Sequence, residues 1–346
     1  MTANAQILLK ARPDGVPTAD CFQFATGKVR EPVDGEVLVR NLYLSLDPAI
    51  RGWMDDKRSY LPPIALGSPV RSGVLSEVVE SRLDGWNKGD LMQALGAWED
   101  FSTIGEPQIH GRIEPVEGIP LQSMLSVLGG NGLTAYFGLL DIGQPKCGDT
   151  VVVSAAAGGV GSLVGQIAKI KGCIAIGITG SNEKNEWIVN ELGFDSAINY
   201  KTGSVPEALK RLAPKGMHVY FDNVGGEILD AALGRLALGA RVVLCGAISQ
   251  INNTVRPVGP SNYLQLIANR GSMRGFVTLD FHDRYPEARK QLAHWIRNGE
   301  LQYRDEVVEG LEHAPELFLR LFDGDHRGKL LIKLGDPSER EKGKQA

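Results

Sequence analysis

Between Gly35 and Leu46 the chain largely alternates apolar and polar residues, and Asp47-Pro48 stops the run. A period near two is that of a strand with one covered face. Gly73–Glu80 reads the same way, Asn87-Lys88-Gly89-Asp90 turns the chain, and Leu91-Met92-Gln93-Ala94 opens another strand. Short strands between Gly/Pro turns predict a twisted, barrel-like β module over residues 1–124. Past that point the period changes. Met124–Leu140 has helical apolar spacing, which Gly129-Gly130-Asn131-Gly132 should break. Strands are then predicted at Thr150–Ser154, Cys173–Ile178, Ser196–Asn199, Val219–Asp222 and Ala240–Cys245, with helical patterns between them. In the first of these helices Val160, Leu163, Val164, Ile167 and Ala168 form a single stripe. Such alternation predicts an α/β fold with a doubly wound parallel sheet over residues 125–298. Residues 299–346 alternate again through Gly328–Leu334 and are expected to return to the first module, with a frayed tail after Gly335.

A length of 346 residues suits about two domains. With 43% hydrophobic and 23% charged residues, the composition is that of an ordinary soluble globular protein. A formal charge of −4 offers no electrostatic case for nucleic acid. No apolar stretch is long enough to span a bilayer, which argues against a membrane protein. The first 15 residues lack the apolar core of a secretory signal, so a cytoplasmic location is expected. Cys21, Cys147, Cys173 and Cys245 form no C-x-x-C pair and no zinc-finger spacing with His, so reduced thiols and no metal are expected. Glycine is the compositional outlier at 42 residues, without a Gly-X-Y period.

Part of that glycine has an address in Val151-Val152-Val153-Ser154-Ala155-Ala156-Ala157-Gly158-Gly159-Val160-Gly161. A strand enters a small-residue turn that opens a helix, as dinucleotide-binding loops do: bare backbone approaches a pyrophosphate at a helix N-terminus. The competing reading is a glycine turn that only packs a helix on a sheet. After the next strand stands Thr179-Gly180-Ser181-Asn182, where an NAD site usually carries a carboxylate for the ribose hydroxyl. Glu183 comes late, Lys184 follows it, and Tyr200-Lys201 close the third strand, so NADP(H) is the expected cofactor.

These blocks, together with Leu46-Asp47-Pro48, Gly132-Leu133-Thr134-Ala135-Tyr136, Phe221-Asp222-Asn223-Val224-Gly225-Gly226 and Cys245-Gly246-Ala247-Ile248-Ser249, resemble the zinc-independent medium-chain dehydrogenase/reductases. Within that superfamily the chain resembles the NADPH-dependent alkenal/one oxidoreductases, the group of prostaglandin reductases, plant double-bond reductases and bacterial curcumin reductases. The resemblance implies a GroES-like β-barrel domain, a Rossmann domain and a cleft between them. It also implies a homodimer and NADP contacts at Ala157, Gly158, Gly159, Val160, Lys184, Tyr200, Asn223, Cys245, Gly246, Ala247, Ile248, Ser249, Gln250, Ile251, Phe276, Val277, Thr278 and His326. Two positions depart from the mammalian pattern: His326 replaces an asparagine, and Ala49 replaces a tyrosine near the substrate. Substrate preference is therefore not carried over.

The chemistry points the same way. No Gly-His-Glu block appears in the first module and His110 has no neighbouring cysteine, so the usual zinc device for acidifying an alcohol is missing. A conjugated C=C–C=O needs less: a hydride at the β-carbon and a donor for the developing enolate oxygen. Tyr263 and Tyr60 are the candidate catalytic hydroxyls, Tyr43 reads as core or wall, Asn223 as a cofactor contact and Asp222 as scaffold. The expected partner is a small enal or enone. A zinc-free quinone reductase and a non-enzymatic NADPH-binding protein are the rival readings.

Overall fold

In the computed structural model residues 3–338 are described, and they divide into two compact units. One comprises residues 3–125, 306–323 and 330–338, and the other residues 126–305 and 324–329. The chain passes from one unit to the other at 125/126 and 305/306, with a short further crossing at 324–329. The tail expected to fray lies, from residue 339 onward, outside the described residues.

The first unit is built on the long strand Glu36–Leu46. Arg71–Ser81 pairs along one of its edges; on the other, Phe101–Gly105 covers the first half and Lys329–Lys333 the second. Leu91–Ala97 and Ile109–Arg112 extend the sheet beyond Arg71–Ser81. The alternating pattern predicted one covered face for Glu36–Leu46, yet nearly every residue from Val37 to Leu46 is buried. Both faces are out of water, so Asn41 needs partners inside: its amide donates to Ser102 Oγ at 3.0 Å and its carbonyl accepts from Ser76 Oγ at 2.7 Å. On the core side Phe22 stacks on Trp98, and Phe318 meets both rings edge-on.

The second unit carries six parallel strands, numbered here within the unit: β1 (Thr150–Ser154), β2 (Ile174–Thr179), β3 (Ser196–Asn199), β4 (Met217–Asp222), β5 (Leu236–Leu244) and β6 (Ser272–Gly275). Their order across the sheet is β3-β2-β1-β4-β5-β6. Helices α1 (Gly161–Ile170), α2 (Asn182–Asn190), α3 (Val205–Leu212) and α4 (Gly226–Leu233) follow the first four strands. This is the doubly wound dinucleotide-binding order, with its switch point between β1 and β4. β1 and β3 lie where the pattern put them, and β2 runs one residue later.

Three differences have physical causes. β5 starts at Leu236 rather than Ala240, because Gly239 (φ +74°) bulges the strand where its register against β4 shifts. The strand β6 was not anticipated, since Ser-Met-Arg-Gly is exposed throughout and shows no apolar pattern. The glycine run expected to break a helix instead starts one, Gly130–Phe137, because Gly132 sits so close on the Val127 carbonyl that no Cβ fits. Among the described residues no helix is long and apolar enough to cross a membrane.

Candidate cofactor site

At the end of β1 the backbone turns sharply. Ala155 takes up φ +49°, a left-handed conformation unusual for alanine, and its carbonyl accepts from Gly158 N at 2.9 Å. A Cβ on Gly161 would collide with that same carbonyl, so only glycine lets α1 start there. The first bond into α1 runs from Ser162 N to Gly158 O at 3.0 Å. The Gly159 N–H faces Gly328 O in the bridge between Gly158 and Gly328, while the N–H groups of Val160 and Gly161 donate to no acceptor among the described residues. Two free amides at the positive end of a ten-residue helix form an anion cradle. Across the loop lies the segment 324–329: Gly328 N donates to Ala157 O at 3.0 Å, and Gly328 bridges to Gly158.

The end of β2 decides what the adenosine half would meet. Ser181 caps α2, its hydroxyl accepting from Lys184 N at 3.2 Å. The Glu183 pKa is lowered by hydrogen bonds from its own backbone N–H and the Ser181 side chain, so the late carboxylate serves the helix cap. Half-buried Lys184 donates from Nζ to Gly324 O at 2.6 Å. Its pKa is lowered, first by burial, then by Arg327 and also by Lys201, with Asp325 opposing. Tyr200 and Lys201 lie over Gly180, where a Cβ would meet the Tyr200 ring at 3.2 Å. Lys184, Lys201 and Arg327 thus gather around the strand end, with Asp325 opposing their charge. That donor set fits a 2′-phosphate.

The end of β4 is organised by one buried carboxylate. Asp222 Oδ1 accepts from Tyr220 Oη at 2.9 Å, Ser154 Oγ at 3.1 Å, Val224 N at 3.1 Å and Gly225 N at 3.0 Å. Burial raises its pKa against these donors, and pushes the Tyr220 phenol well up. Asn223 turns its amide onto Ser154 O at 2.7 Å. The segment Cys245–Ile251 is laid along this turn: Cys245 N and Gly246 N donate to Asp222 O, Ile248 N to Asn223 O, and Ser249 N and Oγ to Val224 O. Gln250 and Ile251 close a turn onto Ala247 O. The Cys245 thiol is pushed up to about 12, by burial first and Asp222 second. After β6, Phe276 packs edge-on against Phe221, and past Val277 the Thr278 hydroxyl shares a 2.7 Å hydrogen bond with Thr134.

Of the two candidate hydroxyls, Tyr263 belongs to the second unit. It sits on the short turn Ser261–Leu264, 55% exposed, and the turn is anchored by Asn262, whose N and Nδ2 donate to Asp230. Tyr60 belongs to the first unit, is 52% exposed and packs edge-on against Trp53. Tyr43 is buried in Glu36–Leu46, with its hydroxyl pKa raised by burial. His326 lies in the segment 324–329. All the expected cofactor contacts therefore lie in the second unit, most of them at strand ends. Arg327 was not anticipated; it lies far along the chain from Lys184, and no local pattern marks it.

The sheet order, the amide cradle and the cationic strand end define a Rossmann-type NADP-dependent oxidoreductase. Residues 5–111 match the family model described as the N-terminal domain of oxidoreductase, and residues 159–294 that described as zinc-binding dehydrogenase. The chain is 48% identical over 344 residues to a Bacillus subtilis (strain 168) protein described as an NADP-dependent oxidoreductase, covering 98% of this chain and 100% of that one. It is 39% identical to the NADPH-dependent curcumin reductase of Escherichia coli (strain K12), covering 96% and 97%. The crystal structure of CurA from Vibrio vulnificus in complex with NADPH superimposes with a TM-score of 0.89 at 41% identity, covering 96% and 100%. The chain belongs to the medium-chain dehydrogenase/reductase superfamily, in its NADP-dependent, alkenal-reductase-like family. Zinc, named in one family description, does not fit: among the described residues no three His, Cys, Asp or Glu side chains are grouped to hold a metal ion.

Proposed function

We propose that the protein reduces the C=C bond of α,β-unsaturated aldehydes or ketones. The carrying observation is the pairing of an NADP-suited site with near-full-length relatives, among them one named for curcumin reduction. When bound, NADPH supplies a hydride for the β-carbon. This chain's residues do the rest. The loop Gly158–Gly161 would hold the pyrophosphate, with the Val160 and Gly161 amides as donors, and Lys184, Lys201, Arg327 and Tyr200 would hold the 2′-phosphate side. Asn223, Cys245–Ile251 and Phe276–Thr278 flank the nicotinamide half. As the hydride arrives, negative charge develops on the carbonyl oxygen, and the exposed Tyr263 hydroxyl donates to it. Tyr60 is the alternative donor. The α-carbon takes its proton from tyrosine or solvent.

The test is a panel of alkenals, alkenones and quinones, each assayed with NADPH and NADH. Enone turnover with NADPH supports the proposal; turnover of quinones alone overturns it in favour of a quinone reductase. Tyr263→Phe is expected to lower kcat/KM on an enone at least tenfold with NADPH binding unchanged; full activity removes Tyr263 from the mechanism. Two further parts of this reading are a homodimer joined through the exposed edge at β6, and a reducing, cytoplasmic setting suited to four free cysteines.

A further inference from the structure

The phosphate loop has a neighbour that the proposed cofactor contacts leave unused. Asn131 is the second residue of the helix Gly130–Phe137, only 9% exposed, and its carboxamide makes no hydrogen bond with any described residue. It lies directly on the loop. The space where Gly159 would carry a Cβ is taken by Asn131 Nδ2, with Gly328 O 3.4 Å from the same point. The amide tip therefore fills the space a side chain at position 159 would need, next to the loop that presents the free N–H groups of Val160 and Gly161. A carboxamide this covered, with its polar atoms still reaching the surface and no protein partner, is left for water or a ligand to complete.

We propose that Asn131 Nδ2 is a side-chain donor to the cofactor pyrophosphate, joining the backbone amides of the loop. The inference rests on the NADP site and not on the identity of the substrate. Such a donor serves the part common to NADPH and NADH, so Asn131 adds affinity without discriminating between them.

The test is fluorescence titration of the full chain with NADPH and NADH, and competition by 2′-phospho-ADP-ribose and 2′-AMP. Loss of one hydrogen bond to a charged group should weaken NADPH, NADH and 2′-phospho-ADP-ribose by about 10- to 100-fold in Asn131→Ala. 2′-AMP, which lacks the pyrophosphate, should bind as before. Asn131→Asp, the same shape with a negative charge, should weaken the three further and again spare 2′-AMP. Because the amide is unpartnered without cofactor, the melting temperature of cofactor-free Asn131→Ala should equal or exceed that of the parent. Unchanged affinities overturn the proposal. Loss confined to the nicotinamide-bearing ligands overturns it too, by placing the amide on the nicotinamide half. A lowered melting temperature with 2′-AMP weakened in parallel would make Asn131 purely structural. Failure of the parent chain to bind NADPH would overturn the cofactor assignment itself, a result distinct from all of these.

Discussion

Lys184 read alone is a lysine on an exposed helix face. Its meaning comes from its surroundings: half-buried, bonded to Gly324 O and crowded by Arg327 and Lys201, it carries a charge that an anion would relieve. Lys184→Ala and Arg327→Leu are each expected to weaken NADPH about tenfold while leaving NADH unchanged. Titration at low salt should show this, and the difference should shrink as ionic strength rises. Equal loss for both cofactors would make the residues structural. Asp305 offers a second test at this level. Its Oδ2 accepts from Ser126 Oγ at 2.9 Å, and burial raises its pKa to about 6, against the Ser126 bond and the Lys329 charge. An ordinary aspartate titrates near ~3.9. The folded state thus holds this proton more tightly, and the stability that goes with it is present below pH ~4 and lost as pH rises through about 6. Asp305→Asn should therefore stabilise the protein at pH 8, by on the order of 1–3 kcal/mol, and bring no gain at pH 4. Thermal melts at the two pH values decide it; an equal effect at both would show that Asp305 is not the titrating group.

The helix α1 pairs a feature legible in the sequence with one that is not. Its stripe of Val160, Leu163, Val164, Ile167 and Ala168 declares the buried face. Gly165, a poor helix former in mid-helix, is explained only by the fold. A Cβ there would enter the ring of Phe194, just past the end of α2. Gly165→Ala gains helix propensity of at most about 1 kcal/mol but overpacks a core contact, a change that costs about 1–3 kcal/mol. Net destabilisation is expected in urea unfolding, with recovery in the double variant Gly165→Ala/Phe194→Leu; additive losses would place the strain elsewhere. The same contrast runs along the strands. β1 and β3 could be bounded by pattern because buried parallel strands are short apolar runs between turns. The start of β5 could not, because Gly239 looks like a turn and acts as a bulge.

Over the whole molecule, the edge strand β6 is exposed along its length, and Ile267, 74% exposed, stands just before it with Leu264 and Met273 also in solvent. An unpaired edge beside apolar side chains invites a second copy by strand addition. Sedimentation equilibrium at micromolar concentration should give twice the chain mass, and Ile267→Asp should shift it toward monomer. A parent chain that is monomeric throughout would overturn the dimer.

Periodicity and turn chemistry were enough to mark the β module, the strand-helix alternation, the small-residue loop after β1 and the late position of the carboxylate after β2. Each of these is written in residues close together in the chain, where burial repeats with the period of the element. Asn131 on Gly159, Arg327 beside Lys184, Gly328 on the loop and Phe194 against Gly165 had no such signature. They join residues distant in sequence, and the folded chain alone brings them into contact. The open edge at β6 is likewise a property of the finished sheet, since which strand ends up last depends on how all six are ordered.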